Sequence, residues 1–343
     1  MGTGMEKQVE KATSAQLLRL DEQSSGSDKP RNGGVPRRKT SPQAKTQIRA
    51  GWAFLAPFVV LFVLVFLVPI FVSIYSSFFQ LKTTGGGAYG GGESTNTFVG
   101  LENYQYVITS HEFWLGIGRV ILYTCFQVPV MIIAALVLAL VLDSFLVKHV
   151  TIYRLGYFLP FAIPGVVAAM IWLYLYNPEV SPLVKGLAAL GIDINFLSGN
   201  VVLASMANMT TWTYTGYNML IFLAALQAIP PELSEAARID GASGLQIMTR
   251  IKMPLLRPAA LLAVLLSIVG TIQLFNEPAV ISSTQTWMGK AYTPMMMAYN
   301  TTMGTLTPSG DGPGSAVAIV MALIAGVLAV GYFFVDRKVG GND

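Results

Sequence analysis

Six stretches of the chain are apolar on nearly every side, and polar connections separate them. They lie near 52–79, 118–142, 153–176, 203–227, 259–281 and 315–335. Each is close to the roughly 20 residues that a helix needs to cross about 30 Å of hydrocarbon. All-round hydrophobicity suits a helix in lipid better than an amphipathic helix on a water-soluble core. The pattern predicts an all-α integral membrane protein with six transmembrane helices. Pro69, Pro129, Pro160 and Pro164 fall inside or at the edges of these runs. Neighbouring helices in a bundle can satisfy the carbonyls that such prolines free.

The polar segments divide the chain further. Residues 1–50 are rich in Ser, Gly, Lys and Arg, with Arg37-Arg38-Lys39 as the densest basic point. Such a segment cannot bury a core and is expected to be a disordered tail, leaving 51–343 as the transmembrane domain. No apolar stretch lies close enough to Met1 for a cleavable signal, so the first span is expected to be an uncleaved anchor. The loop from about 80 to 117 opens with a Gly-rich run over 85–92, which favours a flexible linker. The following Phe98-Val99-Gly100-Leu101-Glu102-Asn103-Tyr104 is more structured in character, and Phe113 and Trp114 suit a membrane interface.

Charge then sets the orientation. With the tail inside, the inner segments 1–51, 143–152, 228–258 and 336–343 hold Arg37, Arg38, Lys39, Lys45, Arg49, Lys148, Arg238, Arg250, Lys252, Arg257, Arg337 and Lys338. The outer loops hold only Lys82, Lys185 and Lys290, with Arg119 at a membrane edge. Cytoplasmic loops carry the excess of Lys and Arg, so both termini are expected in the cytoplasm.

Composition agrees and removes other classes. Hydrophobic residues are 53% of the chain and charged residues 12%, about half the charge of a soluble domain. The net charge of +4 resides in the tail and loops, with no aromatic-interleaved basic stripe for nucleic acid. The single cysteine, Cys125, lies in an apolar run and reads as a small buried hydrophobe. His111 and His149 flank different hydrophobic segments and offer neither a metal-ligand pattern nor a catalytic group. The run Met295-Met296-Met297 reads as packing, because consecutive helical residues point in different directions. No metal site and no catalytic residue are expected.

The connection over 228–258 is the most informative. Pro231 can open a helix, since its missing N–H would be unpaired there. Glu232 and Glu235 occupy the first turns, where the helix dipole favours negative charge. Gly241 permits a left-handed stop, and Ser243 with Gln246 has capping-box spacing for a second helix. Small Ala236, Ala237 and Ala242 allow close approach to another surface. These features alone fit either a docking element or an ordinary amphipathic connector.

The same residues resemble the EAA loop of binding-protein-dependent ABC importer permeases, whose pattern runs E-A-A, three residues, G, nine residues, I, one residue, L-P. Glu235-Ala236-Ala237, Gly241, Ile251 and Pro254 match, and Met253 stands where Leu is usual. Met replaces Leu at nearly equal volume. The resemblance covers most of 52–336 and is closest to the carbohydrate branch of maltose and glycerol-3-phosphate type. Within that branch it is similar to the subunit with the longer N-terminal region. Supporting stretches include Leu159-Pro160-Phe161-Ala162-Ile163-Pro164 and Leu223-Ala224-Ala225-Leu226-Gln227-Ala228-Ile229-Pro230.

The resemblance implies a cytoplasmic coupling-helix loop between helices four and five. Glu235, Ala236, Ala237, Arg238, Asp240, Gly241, Ile251 and Pro254 would couple it to an ATPase. It also implies a second permease subunit, two cytoplasmic ATPase subunits and an extracytoplasmic solute-binding protein. The chain contains no G-x-x-x-x-G-K-[ST] phosphate loop. ATP and Mg are therefore expected in the ATPases, with no cofactor in this chain.

Polar residues inside spans are costly and invite functional reading. Span four carries Asn208, Trp212, Tyr214, Tyr217 and Asn218, and span five ends with Gln273, Asn276 and Glu277. Trp212, Tyr214, Asn218, Gln273, Asn276 and Glu277 are candidates for the solute path, because sugars bind to aromatic faces and hydrogen-bonding side chains. The same residues could equally join helices or sit in the interfacial aromatic belt. The function expected is import of a sugar or oligosaccharide. Alternatives are an ABC permease for glycerol phosphate, a polyol or a peptide, and an ion-coupled secondary transporter. The secondary transporter would call for paired ionisable residues at mid-membrane.

Overall fold

A computed structural model of the protein describes residues 42–84, 93–144 and 148–340. The Gly-rich run and the Arg37-Arg38-Lys39 cluster lie outside the described residues. The chain divides into two units, residues 1–64 and 65–343. In the first, helix α1 runs over Pro42–Phe62 with Pro57 inside it. Helical structure thus starts within the segment expected as a tail, at a proline, which suits the first turn of a helix.

The second unit holds α2 (Val68–Ser76), strands β1 (Phe79–Thr84) and β2 (Glu93–Phe98), α3 (Glu102–Thr109) and α4 (His111–Asp143). Then come α5 (Val150–Phe158), a 3-10 turn over Leu159–Ala162, α6 (Gly165–Tyr176), α7 (Pro182–Ala189) and α8 (Val202–Gln227). The connection after α8 contributes α9 (Pro231–Ile239), α10 (Gly244–Ile247), a π turn over Met248–Lys252 and α11 (Met253–Leu255). The chain continues through α12 (Arg257–Ile272), α13 (Asn276–Ser282), α14 (Pro294–Thr302) and α15 (Asp311–Gly340).

Among the described residues, four helical stretches are long and apolar enough to cross a membrane: Arg49–Ser76, His111–Asp143, Arg257–Ser282 and Asp311–Tyr332. Two bent pairs raise the number to six if each is one span. These are Val150–Ala162 with Gly165–Tyr176, bent by 96°, and Val202–Gln227 with Pro231–Ile239, bent by 67°. The 96° bend has a sequence cause. Ile163 precedes Pro164 and is extended at φ −81°, ψ 130°, as the proline ring requires of the residue before it.

Among the described residues, the structure departs from an all-helical chain at one place. Span one was expected to reach residue 79, but α2 stops at Ser76 and an antiparallel hairpin follows, pairing Phe79 with Phe98 through Thr84 with Glu93. Threonines recur along both strands, and β-branched residues favour a pleated, half-exposed surface. Buried Asn103 fastens the hairpin, its Nδ2 donating to the Ser77 and Phe79 carbonyls at 2.8 and 2.9 Å. The structured character expected of 98–104 is present.

α4 and α8 form the central contact. Met131, Ala135, Ala139 and Leu142 pack with Met219, Phe222, Leu223 and Leu226 in one buried cluster. Small residues spaced by four let the two helix backbones approach. Gly216 serves the same end towards α5, for a Cβ there would lie 1.8 Å from the Tyr157 carbonyl oxygen.

α12 ends at Ile272, and the chain breaks before α13 begins at Asn276. The break leaves the Leu274 carbonyl without a helical partner, and the Thr293 hydroxyl donates to it at 2.9 Å. This break positions the site described next.

Candidate functional site

Two sites emerge, one on the connection after α8 and one among the spans. On the connection, Pro231 opens α9, Glu232 sits in its first turn and Arg238 in its last. Both charges complement the helix dipole. Gly241 takes φ +83°, a left-handed conformation that a Cβ would strain. The chain reverses there, with the Gly241 N–H donating to the Arg238 carbonyl at 3.0 Å and the Ala242 N–H to Ala237 at 2.9 Å. Ser243 then caps α10 reciprocally. Its Oγ accepts from the Gln246 N–H at 3.3 Å, and Gln246 Oε1 accepts from the Ser243 N–H at 2.7 Å.

Glu235, Ala236, Arg238, Asp240, Gly241 and Pro254 are exposed, while Ala237 and Ile251 are partly buried. The apolar side chain of Ile239 is 87% exposed and Leu245 66%. Large aliphatic groups so placed beside charged residues suit a protein partner better than water. Sequence reading missed how the connection is tied back. Lys252 donates to Asp143 at 2.5 Å, and both side chains are mostly buried. The pair joins the π turn to the last residue of α4 across 109 positions of sequence, a distance that no local signal reveals.

Among the spans, a cavity of about 460 Å³ opens where α4, α8 and the α12–α13 break meet. Tyr123 and Gln127 face it from successive turns of α4, and Thr210, Tyr214, Tyr217 and Asn218 from one stripe of α8. Gln273, Asn276 and Glu277 enter from the break, where ending the helix frees them from a single stripe. Phe161, on the 3-10 turn, stacks on Tyr217 at 4.7 Å and meets Tyr214 edge-on at 5.7 Å. An aromatic wall thus faces a polar one.

The polar wall is ordered. Tyr123 Oη donates to Thr210 Oγ1 at 2.7 Å, and Thr210 Oγ1 donates to Glu277 Oε1 at 2.8 Å. Asn218 Nδ2 donates to the Tyr214 carbonyl at 3.0 Å. Gln127 is fully buried; its Nε2 donates to Met131 Sδ at 3.3 Å, while its Oε1 has no hydrogen-bond partner among the described residues. Its cavity position and this unpaired acceptor were not foreseen. The signal available was the Tyr123–Gln127 spacing of four within an otherwise apolar run.

Five sequence candidates, Tyr214, Asn218, Gln273, Asn276 and Glu277, therefore line one cavity. Trp212 is the exception. Two residues before Tyr214, it lies about 200° around the helix and packs edge-on against Trp172 at 5.8 Å. Asn208 donates to Tyr176 Oη at 2.8 Å, which joins helices. Met296 and Met297 are buried in packing, whereas Cys125, expected to be buried, is exposed on the surface of the chain.

The profile of the family described as binding-protein-dependent transport system inner membrane component matches residues 109–341. The chain is 30% identical to the sn-glycerol-3-phosphate transport system permease protein UgpA of Brucella abortus, over 83% of this chain and 94% of the relative. It is also 30% identical to the arabinooligosaccharides transport system permease protein AraP of Bacillus subtilis, over 85% and 89%. A third relative, the lactose transport system permease protein LacF of Rhizobium radiobacter, is 30% identical over 84% and 94%. In three dimensions the chain is similar to a chain of a bacterial ABC transporter that imports the acidic polysaccharide alginate. That match has a TM-score of 0.72 at 18% identity and covers 87% of this chain and 99% of the other.

Proposed function

The chain belongs to the family of binding-protein-dependent transport system inner membrane components, and from that premise we propose that it forms half of the membrane path of an ATP-driven importer for a sugar or oligosaccharide. Six spans cross the inner membrane, counting Val150–Ala162 with Gly165–Tyr176 as one and Val202–Gln227 as one, with Pro231–Ile239 bent out of it on the cytoplasmic side, and both termini lie in the cytoplasm. A second permease completes the path. The connection over 228–258 seats in two-ATPase machinery that binds ATP and Mg. An extracytoplasmic solute-binding protein delivers the solute.

The observation that carries this reading is the presentation of Ile239, 87% exposed, at the end of a helix whose reversal depends on Gly241. An aliphatic tip held rigidly outward is built to be covered. ATP-driven closure of the ATPases would draw such tips together and transmit the movement through α9 into α8.

Solute uptake into proteoliposomes tests the proposal, using the chain with its native partner permease, ATPases and binding protein. Uptake should require ATP and the binding protein together. Uptake that proceeds without ATP and follows an imposed ion gradient would refute it.

A further inference from the structure

We propose that the solute of this cavity is an uncharged polyhydroxyl compound, and that Glu277 and Gln127 accept hydrogens from its hydroxyl groups. The inference rests on the importer reading above and narrows the solute class. The relatives do not settle the point, since their names include a phosphate ester and neutral oligosaccharides.

The charge of the lining comes first. Glu277 is its one ionisable group besides the tyrosines, and no Lys, Arg or His faces the cavity among the described residues. Arg119 and Lys290 line a different cavity, where Arg119 donates to the Tyr292 carbonyl at 3.0 Å and lies 4.3 Å from the Tyr292 ring. An anion held about 6 Å from an ionised Glu277 would lose roughly a hundredfold in affinity at an effective dielectric of about 20. Phosphate and carboxylate solutes are recognised by cations, typically arginine in a two-pronged contact, and this lining offers none.

The hydrogen-bond inventory points the same way. Several lining donors are already used inside the protein. Tyr123 donates to Thr210, Thr210 to Glu277, Asn218 to a backbone carbonyl and Gln127 to Met131. Acceptors remain. A carboxylate has about four lone-pair sites, and the buried Gln127 Oε1 has no partner among the described residues. A ligand that meets Glu277 and Gln127 Oε1 must bring hydrogens to them, while the side chains of Gln273, Asn276, Tyr214 and Tyr217 in the same lining can donate to its oxygens. Sugar hydroxyls both donate and accept, whereas an ionised phosphate or carboxylate group brings only acceptors and leaves Glu277 and Gln127 Oε1 unmet. The Phe161–Tyr217 stack supplies the flat apolar face against which the C–H side of a sugar ring packs.

The test uses the assembled importer in nanodiscs with its own binding protein, reading solute-stimulated ATPase activity. Neutral probes are lactose, arabinotriose and maltotriose; charged probes are sn-glycerol 3-phosphate, an alginate trisaccharide and glucosamine. At least one neutral probe should stimulate and the charged probes should not. Glu277→Gln should lower the neutral stimulation about tenfold, the scale of one hydrogen bond to a charged acceptor. Gln127→Met should lower it several-fold, with ATPase co-purification unchanged in both variants. Stimulation by a charged probe, or by no neutral probe while the ATPases stay bound, overturns the proposal and leaves the importer standing. Undiminished stimulation in both variants overturns it as well. Failure of the wild-type chain to hold ATPases would instead remove the importer reading itself.

Discussion

The contact between Gly216 and the last turn of α5 carries a sharp test of the packing. A methyl carbon at position 216 would sit 1.8 Å from the Tyr157 carbonyl oxygen, 2.4 Å from its carbon and 2.9 Å from the Phe158 nitrogen. Carbon–oxygen contacts normally close no nearer than about 3.3 Å, so α5 and α8 must separate by about 1.5 Å. All three obstructing atoms are backbone, and no rotamer change relieves them. Overpacking of this kind costs about 1–3 kcal/mol, and more where backbone must move. A loss of 2 kcal/mol multiplies the unfolded fraction roughly thirtyfold. The 3-10 turn that continues from the end of α5 carries Phe161, which stacks on Tyr217, so the aromatic wall of the cavity moves with the displaced helix. Gly216→Ala should therefore melt earlier in detergent, followed by loss of the monodisperse size-exclusion peak on heating. Gly156→Ala is the control, because nothing lies within 4 Å of a methyl there, and its stability should hold or rise by up to about 1 kcal/mol, the helix preference of alanine over glycine. Equal melting of the two variants would refute the close approach.

Two further outcomes follow from the connection over 228–258. Asp143→Asn leaves Lys252 mostly buried without its counter-charge and should cost about 1–3 kcal/mol; the reversal Asp143→Lys with Lys252→Asp should recover part of that loss in a double-mutant cycle of thermal stability, and additive losses would show that the pair does not couple. Ile239→Asp, at a side chain 87% exposed, should leave the melting of the isolated chain unchanged yet weaken ATPase capture about ten- to hundredfold, since burying one Ile is worth about 1.5–3 kcal/mol; quantitative pull-down against ATPase concentration reads the difference.

The conformation of the connection over 228–258 was legible in the sequence because its signals are local. Pro231, Gly241 and the Ser243–Gln246 spacing each act within one or two turns, and each takes the conformation its chemistry favours. The cavity was legible on one wall only. Polar residues of α8 and of the α12–α13 break stood out against apolar surroundings, but their direction did not. Trp212 and Tyr214 are equally prominent in the sequence, and the helical angle between them sends one to the cavity and the other to Trp172. Phe161, Tyr123 and Gln127 come from other spans, so only tertiary packing brings them in. The Lys252–Asp143 pair belongs to the same class. The hairpin after α2 escaped notice because its threonines border the Gly-rich run, whose composition suggests linker rather than strand.

The central claim is that the reversal at Gly241 presents a docking surface for an ATPase, and co-purification of the tagged chain from its native membrane tests it most directly. Gly241→Pro removes the N–H that meets the Arg238 carbonyl and demands φ near −65° where the chain holds +83°. It touches no span. Wild type should bring down a second permease and an ATPase, and the variant should keep the permease while losing the ATPase. A variant that retains the ATPase at wild-type stoichiometry, or a wild-type chain that purifies alone and still moves solute, would contradict the account.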